Sequence, residues 1–95
     1  IFDLIFIDGS HEYKDVITDL EICSKLSDKD TLVILDDVYY EKDKDGLSSV
    51  DNHNLGPTKA WNEFKLKNLV IEDGYIEFET ENTNKRSIVY GKFTF

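Results

Sequence analysis

Two apolar stretches decide the fold of this chain: IFDLIFIDGSH at residues 1–11 and TLVILDDV at residues 31–38. Each is rich in branched or bulky apolar residues and ends abruptly in aspartate. Runs with so few polar residues predict strands that are buried on both faces of a parallel sheet. Between them, over residues 13–26, apolar residues recur near the helical period, which predicts a crossover helix with Ser10 as a candidate cap. The sequence therefore predicts two parallel strands joined by a helix.

The second half of the chain extends this α/β arrangement. A long, mostly polar loop at residues 38–55 leads to residues 56–58, whose proline suits the first turn of a second helix. Residues 69–71 are a short strand or the exit of that helix. Residues 75–79 alternate between apolar and polar, and residues 87–95 are rich in β-branched and aromatic residues. We therefore expect the chain to close with an antiparallel hairpin.

Size, charge and cysteine content narrow the class of protein. The 95 residues suffice for one small domain, residues 1–95, and the opening inside an apolar strand suggests a piece of a larger domain. A net charge of −9 opposes non-specific binding to nucleic acid or to an anionic membrane. Cys23 is the single cysteine, so we expect a reduced, cytoplasmic protein without an intrachain disulfide. No apolar stretch approaches the length of a transmembrane helix.

Aspartates stand where both predicted parallel strands end. Asp8 follows the first strand, and Asp36 and Asp37 follow the second. Open α/β sheets bind ligands at the carboxyl ends of their strands, so we expect these carboxylates to lie together at a ligand site. Three adjacent carboxylates repel one another, and Mg²⁺, which prefers hard oxygen ligands, would compensate that repulsion. The alternative is structural: Asp8 caps the helix and the other two form a solvated turn.

Three segments together resemble a known family: FDLIFIDGSH at residues 2–11, LDDV at residues 35–38 and GPTKAW at residues 56–61. They are similar to the C-terminal half of class I S-adenosylmethionine (SAM)-dependent methyltransferases, especially small-molecule O-methyltransferases. The resemblance covers nearly the whole chain and is firmest over residues 1–64. It implies a Rossmann-like, doubly wound sheet whose last strand is antiparallel. The glycine-rich loop that binds the cofactor in this family is absent from the sequence.

The resemblance also implies an activity and a metal. It predicts SAM as the cofactor and transfer of its methyl group to a hydroxyl of a small molecule or sugar. In metal-dependent relatives, the positions equivalent to Asp8, Asp36 and Asp37 hold the ion, so Mg²⁺ is a candidate second cofactor. A bound divalent ion lowers the pKa of a coordinated hydroxyl and orients its oxygen for attack.

The first strand end supplies the candidate cofactor and catalytic residues. In the family this region approaches the cofactor, which points to Asp8, Gly9, Ser10 and His11 as cofactor-binding residues. His11 is a candidate general base because histidine titrates near neutral pH. Asp8 is the alternative base if no metal binds, and His11 is otherwise a capping or surface residue. Gly9 is expected to allow a close backbone approach or an unusual dihedral angle.

Four aromatic residues and a second histidine have weaker assignments. Tyr13 is expected to pack on the sheet, and Trp61 lies on the apolar stripe of the second helix, which favours a place in the core. Tyr39 and Tyr40 either line an acceptor pocket or anchor the long loop, whereas His53 is expected to be exposed.

Two further interpretations compete with the enzyme. The missing glycine-rich loop favours a truncated, non-catalytic methyltransferase-like module that acts through assembly or binding. Mg²⁺ and phosphate chemistry on another Rossmann-like protein would need a phosphate-binding loop, which the sequence does not contain. In either case the first strand would lie at an open sheet edge, and an apolar open edge favours self-association. We therefore expect a homo-dimer.

Overall fold

The computed structural model describes residues 2–39, 56–79 and 85–95. The elements follow in the order β1 (Leu4–Ile7), α1 (Tyr13–Lys25), β2 (Leu32–Asp36), α2 (Gly56–Leu66), β3 (Val70–Glu79) and β4 (Lys85–Phe93). This order confirms the predicted α/β arrangement. The short strand expected at residues 69–71 and the strand expected at residues 75–79 are one long strand, β3, which begins at Val70. Most of the predicted long loop, residues 40–55, lies outside the described residues.

The four strands form one sheet in the order β1-β2-β4-β3. β1 and β2 are parallel, with Leu4 opposite Leu32, whereas β4 runs antiparallel to both β2 and β3. The β3–β4 hairpin confirms the predicted antiparallel close of the chain. Because β4 is inserted beside β2, the start of β4 lies at the same sheet edge as the carboxyl ends of β1 and β2. That edge carries the candidate site.

One face of the sheet carries the hydrophobic core. Both helices contribute buried side chains to a single cluster with the strands: Ile7, Val16, Leu20, Val33, Leu35, Val38, Ala60, Trp61, Phe64, Val70, Val89 and Phe93. Trp61 is fully buried, as its place on the helix stripe predicted, and its indole N–H donates to Glu72 Oε1 at 2.8 Å. That bond satisfies the one polar group of the ring inside the core.

The prediction that β1 is buried on both faces is wrong for this structure. Ile7 is 7% exposed, but Leu4 and Phe6, which point to the opposite face, are each 54% exposed. Because both helices pack on the core side, alternate strand residues have no helix above them. Ile71, Ile76 and Phe78 of β3 are also exposed on this side. We call these exposed positions, Leu4, Phe6, Ile71, Ile76 and Phe78, the helix-free face.

Helix α1 begins later than a cap at Ser10 would place it. Its N-cap residue is Glu12, which makes no side-chain cap hydrogen bond. The Ser10 hydroxyl instead accepts from the Glu12 backbone N–H at 3.0 Å, in the turn that precedes the helix. Cys23 lies half-buried on the inner side of α1, and Leu26, just past its end, is 44% exposed.

The start of α2 lies directly against the loop that precedes α1. A Cβ atom built on Gly56 would lie 2.8 Å from the His11 carbonyl carbon and 2.8 Å from the Tyr13 backbone nitrogen. Only glycine fits this contact without displacing backbone. Two residues later, the Thr58 hydroxyl accepts from the Tyr39 backbone N–H at 2.9 Å. The first turn of α2 therefore holds the chain segments that follow both β1 and β2.

Candidate functional site

Three carboxylates meet at the edge of the sheet. Asp8 follows β1, Asp36 ends β2 and Asp37 comes next, and one oxygen of each lies within 4.8 Å of the others. This grouping confirms the expectation from the strand ends. Asp36 and Asp37 are buried, at 6% and 7% exposure, whereas Asp8 is exposed. Asp8 therefore forms the solvent side of the cluster, and the two β2 aspartates form its floor.

Arg86 joins this acidic cluster from β4. Its Nη2 atom lies 2.6 Å from Asp36 Oδ2 and 3.9 Å from Asp37 Oδ1. The attraction of Asp36 and Asp37, with the hydrogen bond to Asp36, raises the pKa of the guanidinium. Burial and the neighbouring Asp37 carboxylate raise the pKa of Asp36 and outweigh the opposing effect of Arg86. No local pattern around Arg86 indicates this role, because its place depends on the insertion of β4 beside β2.

His11 is tied to the same cluster by a short hydrogen bond. Its Nε2 atom lies 2.6 Å from Asp37 Oδ2, although the two residues are 26 positions apart. The Tyr39 hydroxyl donates to the other oxygen, Asp37 Oδ1, at 2.9 Å. Burial and this contact raise the pKa of Tyr39, so its hydroxyl keeps its proton and remains a donor. Asp37 therefore orients both a histidine and a tyrosine.

The backbone at Asp37 has an uncommon conformation. Its φ angle is 64°, in the left-handed region that residues other than glycine rarely adopt. The Asp37 N–H donates to the Ser87 carbonyl at 2.9 Å and to Asp36 Oδ1 at 2.9 Å, while the Ser87 hydroxyl donates to the Val38 carbonyl. Contacts to β4 thus hold the turn in place. Backbone held in such regions is typical of functional sites.

A shallow groove of about 250 Å³ opens beside the first strand end, with Asp8, Gly9, Asp19 and Cys23 in its wall. Gly9 does not have a positive φ, and an added Cβ would meet only Asp19 Oδ2, at 3.5 Å. Of the two roles expected for Gly9, the unusual dihedral angle is therefore not found, and the close backbone approach stays a prediction. Ser10 is exposed next to the groove. Of the four candidate cofactor residues, Asp8 and Gly9 line the groove, and His11 faces Asp37.

Two aromatic residues near the site have structural contacts. The Tyr13 hydroxyl donates to Glu63 Oε2 at 2.6 Å, and Lys59 Nζ lies 4.7 Å from the Tyr13 ring centre. Tyr13 thus joins α1 to α2, in line with its predicted packing role. Tyr39 bonds Asp37, whereas Tyr40 and His53 lie outside the described residues.

The donor chemistry of the cluster fits a hard divalent ion. Asp8, Asp36 and Asp37 offer only carboxylate oxygens, the ligands Mg²⁺ prefers, and one oxygen of each lies within 4.8 Å of the others. The guanidinium of Arg86 already acts as a cation on two of them. The cluster is therefore built to hold positive charge.

Comparison with known proteins defines the type of fold. A sequence model described as a methyltransferase domain matches residues 1–38, a stretch that contains residues 8–11, Asp36 and Asp37. The O-methyltransferase from Bacillus cereus in complex with S-adenosylhomocysteine (SAH) superposes with a TM-score of 0.67 at 22% identity. No curated protein matches the chain significantly. The chain thus has a Rossmann-like fold, as predicted, and its resemblance to methyltransferases is confirmed over residues 1–38.

The superposition covers 96% of this chain but 40% of the Bacillus cereus chain. The elements found here therefore correspond to less than half of that protein.

Within the described residues, neither helix has the length and apolarity needed to cross a bilayer.

Proposed function

We propose that this chain is the acceptor-side part of a SAM-dependent O-methyltransferase. The observation that carries the proposal is the His11–Asp37 pair, 2.6 Å apart, set into an acidic strand edge within the stretch that matches a methyltransferase domain. A base held at the ligand-binding edge of a Rossmann-like sheet is the arrangement that hydroxyl methylation needs.

The cofactor would lie over the end of β1. Asp8 and Gly9 line the groove, Ser10 is exposed beside it, and His11 follows at the base of the loop. Asp8 would accept hydrogen bonds from cofactor hydroxyl or amino groups, and the backbone at Gly9 would allow a close approach. Bound SAM supplies an electrophilic methyl group on a sulfonium centre. The sequence holds no glycine-rich loop, so residues 8–11 would carry the cofactor contacts that this chain makes.

His11 would act as the general base. As the acceptor oxygen attacks the methyl carbon and the carbon–sulfur bond breaks, His11 would take the proton of the acceptor hydroxyl. The Asp37 carboxylate orients the ring through Nε2 and would stabilise the positive charge that develops. Asp8, exposed on the outer side of the cluster, is the alternative base. The acceptor we propose is a small molecule or sugar that presents a hydroxyl.

We also propose a divalent ion, Mg²⁺, held by Asp8, Asp36 and Asp37. Its support is the donor set, three carboxylates with oxygens within 4.8 Å of one another. Such an ion would supply Lewis acidity toward the acceptor hydroxyl.

The single, half-buried Cys23 suits a reducing compartment, and we propose that the protein is cytoplasmic.

Calorimetric titration with SAH tests the enzyme assignment. We expect saturable binding in the micromolar range that is weakened in D8N, because the groove loses a carboxylate acceptor. The matched control is D30N, which makes the same substitution at an exposed turn before β2. No heat from a folded sample would contradict cofactor binding by this chain and would favour the non-catalytic module. Equal affinities in D8N and D30N would contradict the role of Asp8.

A homo-dimer through β1 is the partner arrangement we propose. β1 lies at the end of the described sheet, and Phe2, Leu4 and Phe6 are each more than half exposed there. A second copy offers the same apolar edge, so antiparallel pairing about a two-fold axis would bury both edges at once. Light scattering should give twice the mass of 11.0 kDa. A monomer at high concentration would contradict the dimer.

A further inference from the structure

We propose that Arg86 is a resident counter-cation of the acidic cluster that competes with Mg²⁺ for Asp36 and thereby sets the affinity of the site for the ion. The inference rests on the proposed metal site but concerns a residue outside it. It predicts that removing the guanidinium strengthens binding of Mg²⁺.

The geometry places both cations on the same atoms. Arg86 Nη2 lies 2.6 Å from Asp36 Oδ2 and 3.9 Å from Asp37 Oδ1, so it neutralises two of the three candidate ligands. The Asp36 side chain is 6% exposed and that of Arg86 is 44% exposed, so the ion pair joins a buried carboxylate to a side chain that reaches solvent. An ion that contacts Asp8 and Asp36 together would therefore lie within a few ångströms of the guanidinium in the position seen here.

Charge balance makes the two occupants alternatives. A buried carboxylate needs a partner, and removing one partner of a buried pair is strongly unfavourable. Arg86 supplies that partner when the ion is absent, so the cluster remains stable without metal. When Mg²⁺ binds, it satisfies Asp36 and repels the guanidinium. The long, half-exposed arginine side chain can move to solvent without any change in the strand that carries it.

The strand register explains why Arg86 holds this position. β4 pairs antiparallel with β2, with Ile88 opposite Asp36. Arg86 lies two residues before Ile88 in β4 and is therefore on the same face of the sheet as Asp36. On the β3 side Arg86 is opposite Phe78, an apolar residue that offers no competing charge. The Asp36 and Asp37 carboxylates are its described ion-pair partners.

Calorimetric titration of the chain with MgCl₂ alone tests the competition in R86Q and K92Q. Both substitutions remove one positive charge, which changes the net charge from −9 to −10, but Lys92 is exposed near the far end of β4. We expect Mg²⁺ to bind R86Q at least about tenfold more tightly than K92Q, a difference of about 1.4 kcal/mol. Equal affinities, or binding to neither folded variant, would overturn the proposal.

Thermal denaturation gives a second readout that needs no activity. Without Mg²⁺, R86Q should melt at least about 4 °C below K92Q, because Asp36 loses its partner, and added Mg²⁺ should close most of that gap. If R86Q does not fold without the ion, R86K replaces it. The lysine ammonium is shorter and non-planar, so it should hold Asp36 less well, and R86K should bind Mg²⁺ more tightly than wild type but less tightly than expected for R86Q. An R86K affinity no tighter than that of the wild-type chain would then overturn the proposal. SAH binding, measured separately, would still decide the proposed function.

Discussion

Replacing Gly56 with alanine tests the contact by which α2 holds the His11 loop. The added Cβ would lie 2.8 Å from the His11 carbonyl carbon and 2.8 Å from the Tyr13 backbone nitrogen. Real Cβ atoms do not approach other atoms this closely, and both obstructing atoms belong to the backbone. The loop or the helix start must therefore move, since no side chain can rotate away.

The expected loss of stability follows from two opposing effects. Overpacking a well-packed region costs about 1–3 kcal/mol, and rigid backbone places this site in the upper part of that range. Alanine favours a helix by about 1 kcal/mol over glycine, which offsets part of the loss. We expect a net destabilisation of about 1–2 kcal/mol, and each kcal/mol lowers the melting temperature of a domain this size by about 4–8 °C.

Circular dichroism melts of wild type, G56A and G9A make the comparison. Gly9 is the matched control because it lies in the same loop region and an added Cβ would meet only Asp19 Oδ2, at an ordinary 3.5 Å. G9A should melt within a few degrees of wild type or slightly above it, because alanine restricts the unfolded chain. A G56A variant as stable as G9A would refute the packing of α2 against the His11 loop.

Three other measurements probe the core, the acidic cluster and the thiol. W61F should lose about 1–3 kcal/mol in urea denaturation, because Glu72 loses the indole N–H and the core loses volume; an unchanged midpoint would contradict this. The pKa of Asp36 is raised above its ordinary 3.8 in the folded chain. The stability that this shift contributes to the folded state is therefore fully present below pH 3.8 and is lost as pH rises through the raised pKa. D36N should therefore gain stability relative to wild type as pH rises above the ordinary 3.8, and a flat or falling difference would argue against it. Burial and Asp19 raise the pKa of Cys23, so native protein should react with iodoacetamide at pH 8 at least about tenfold more slowly than urea-unfolded protein; equal rates would exclude a protected thiol.

The acidic strand ends were predictable because they depend on local pattern and one topological rule. Apolar runs ending in Asp8 and Asp36 identify two strands, and a helix between them makes the strands parallel. Parallel strands exit at one edge, so the meeting of Asp8, Asp36 and Asp37 follows without knowledge of packing. The start of α2 at Gly56 was likewise marked by local chemistry, the proline that follows it.

Other features depend on long-range placement and carry no local signal. Arg86 reaches Asp36 only because β4 is inserted next to β2, and hairpin residues alone do not reveal that neighbour. The pairing of His11 with Asp37 likewise depends on how the β1–α1 loop folds back over β2. The apolar pattern of β1 predicted burial on two faces, but both helices pack on one, so Leu4 and Phe6 remain exposed.

Titration of ¹⁵N-labelled protein with SAH, followed by ¹H–¹⁵N correlation spectra, tests the central claim most directly. The account predicts that saturable shifts concentrate on the backbone amides of residues 8–11 and 36–39, at the carboxyl ends of β1 and β2. On the helix-free face, Leu4 at the start of β1 and Ile71, opposite Lys92, lie at the far ends of their strands from the acidic edge. They provide an internal control and should change little. Shifts centred on that face, or an unchanged spectrum of the folded chain at saturating SAH, would contradict a cofactor site at the acidic strand edge.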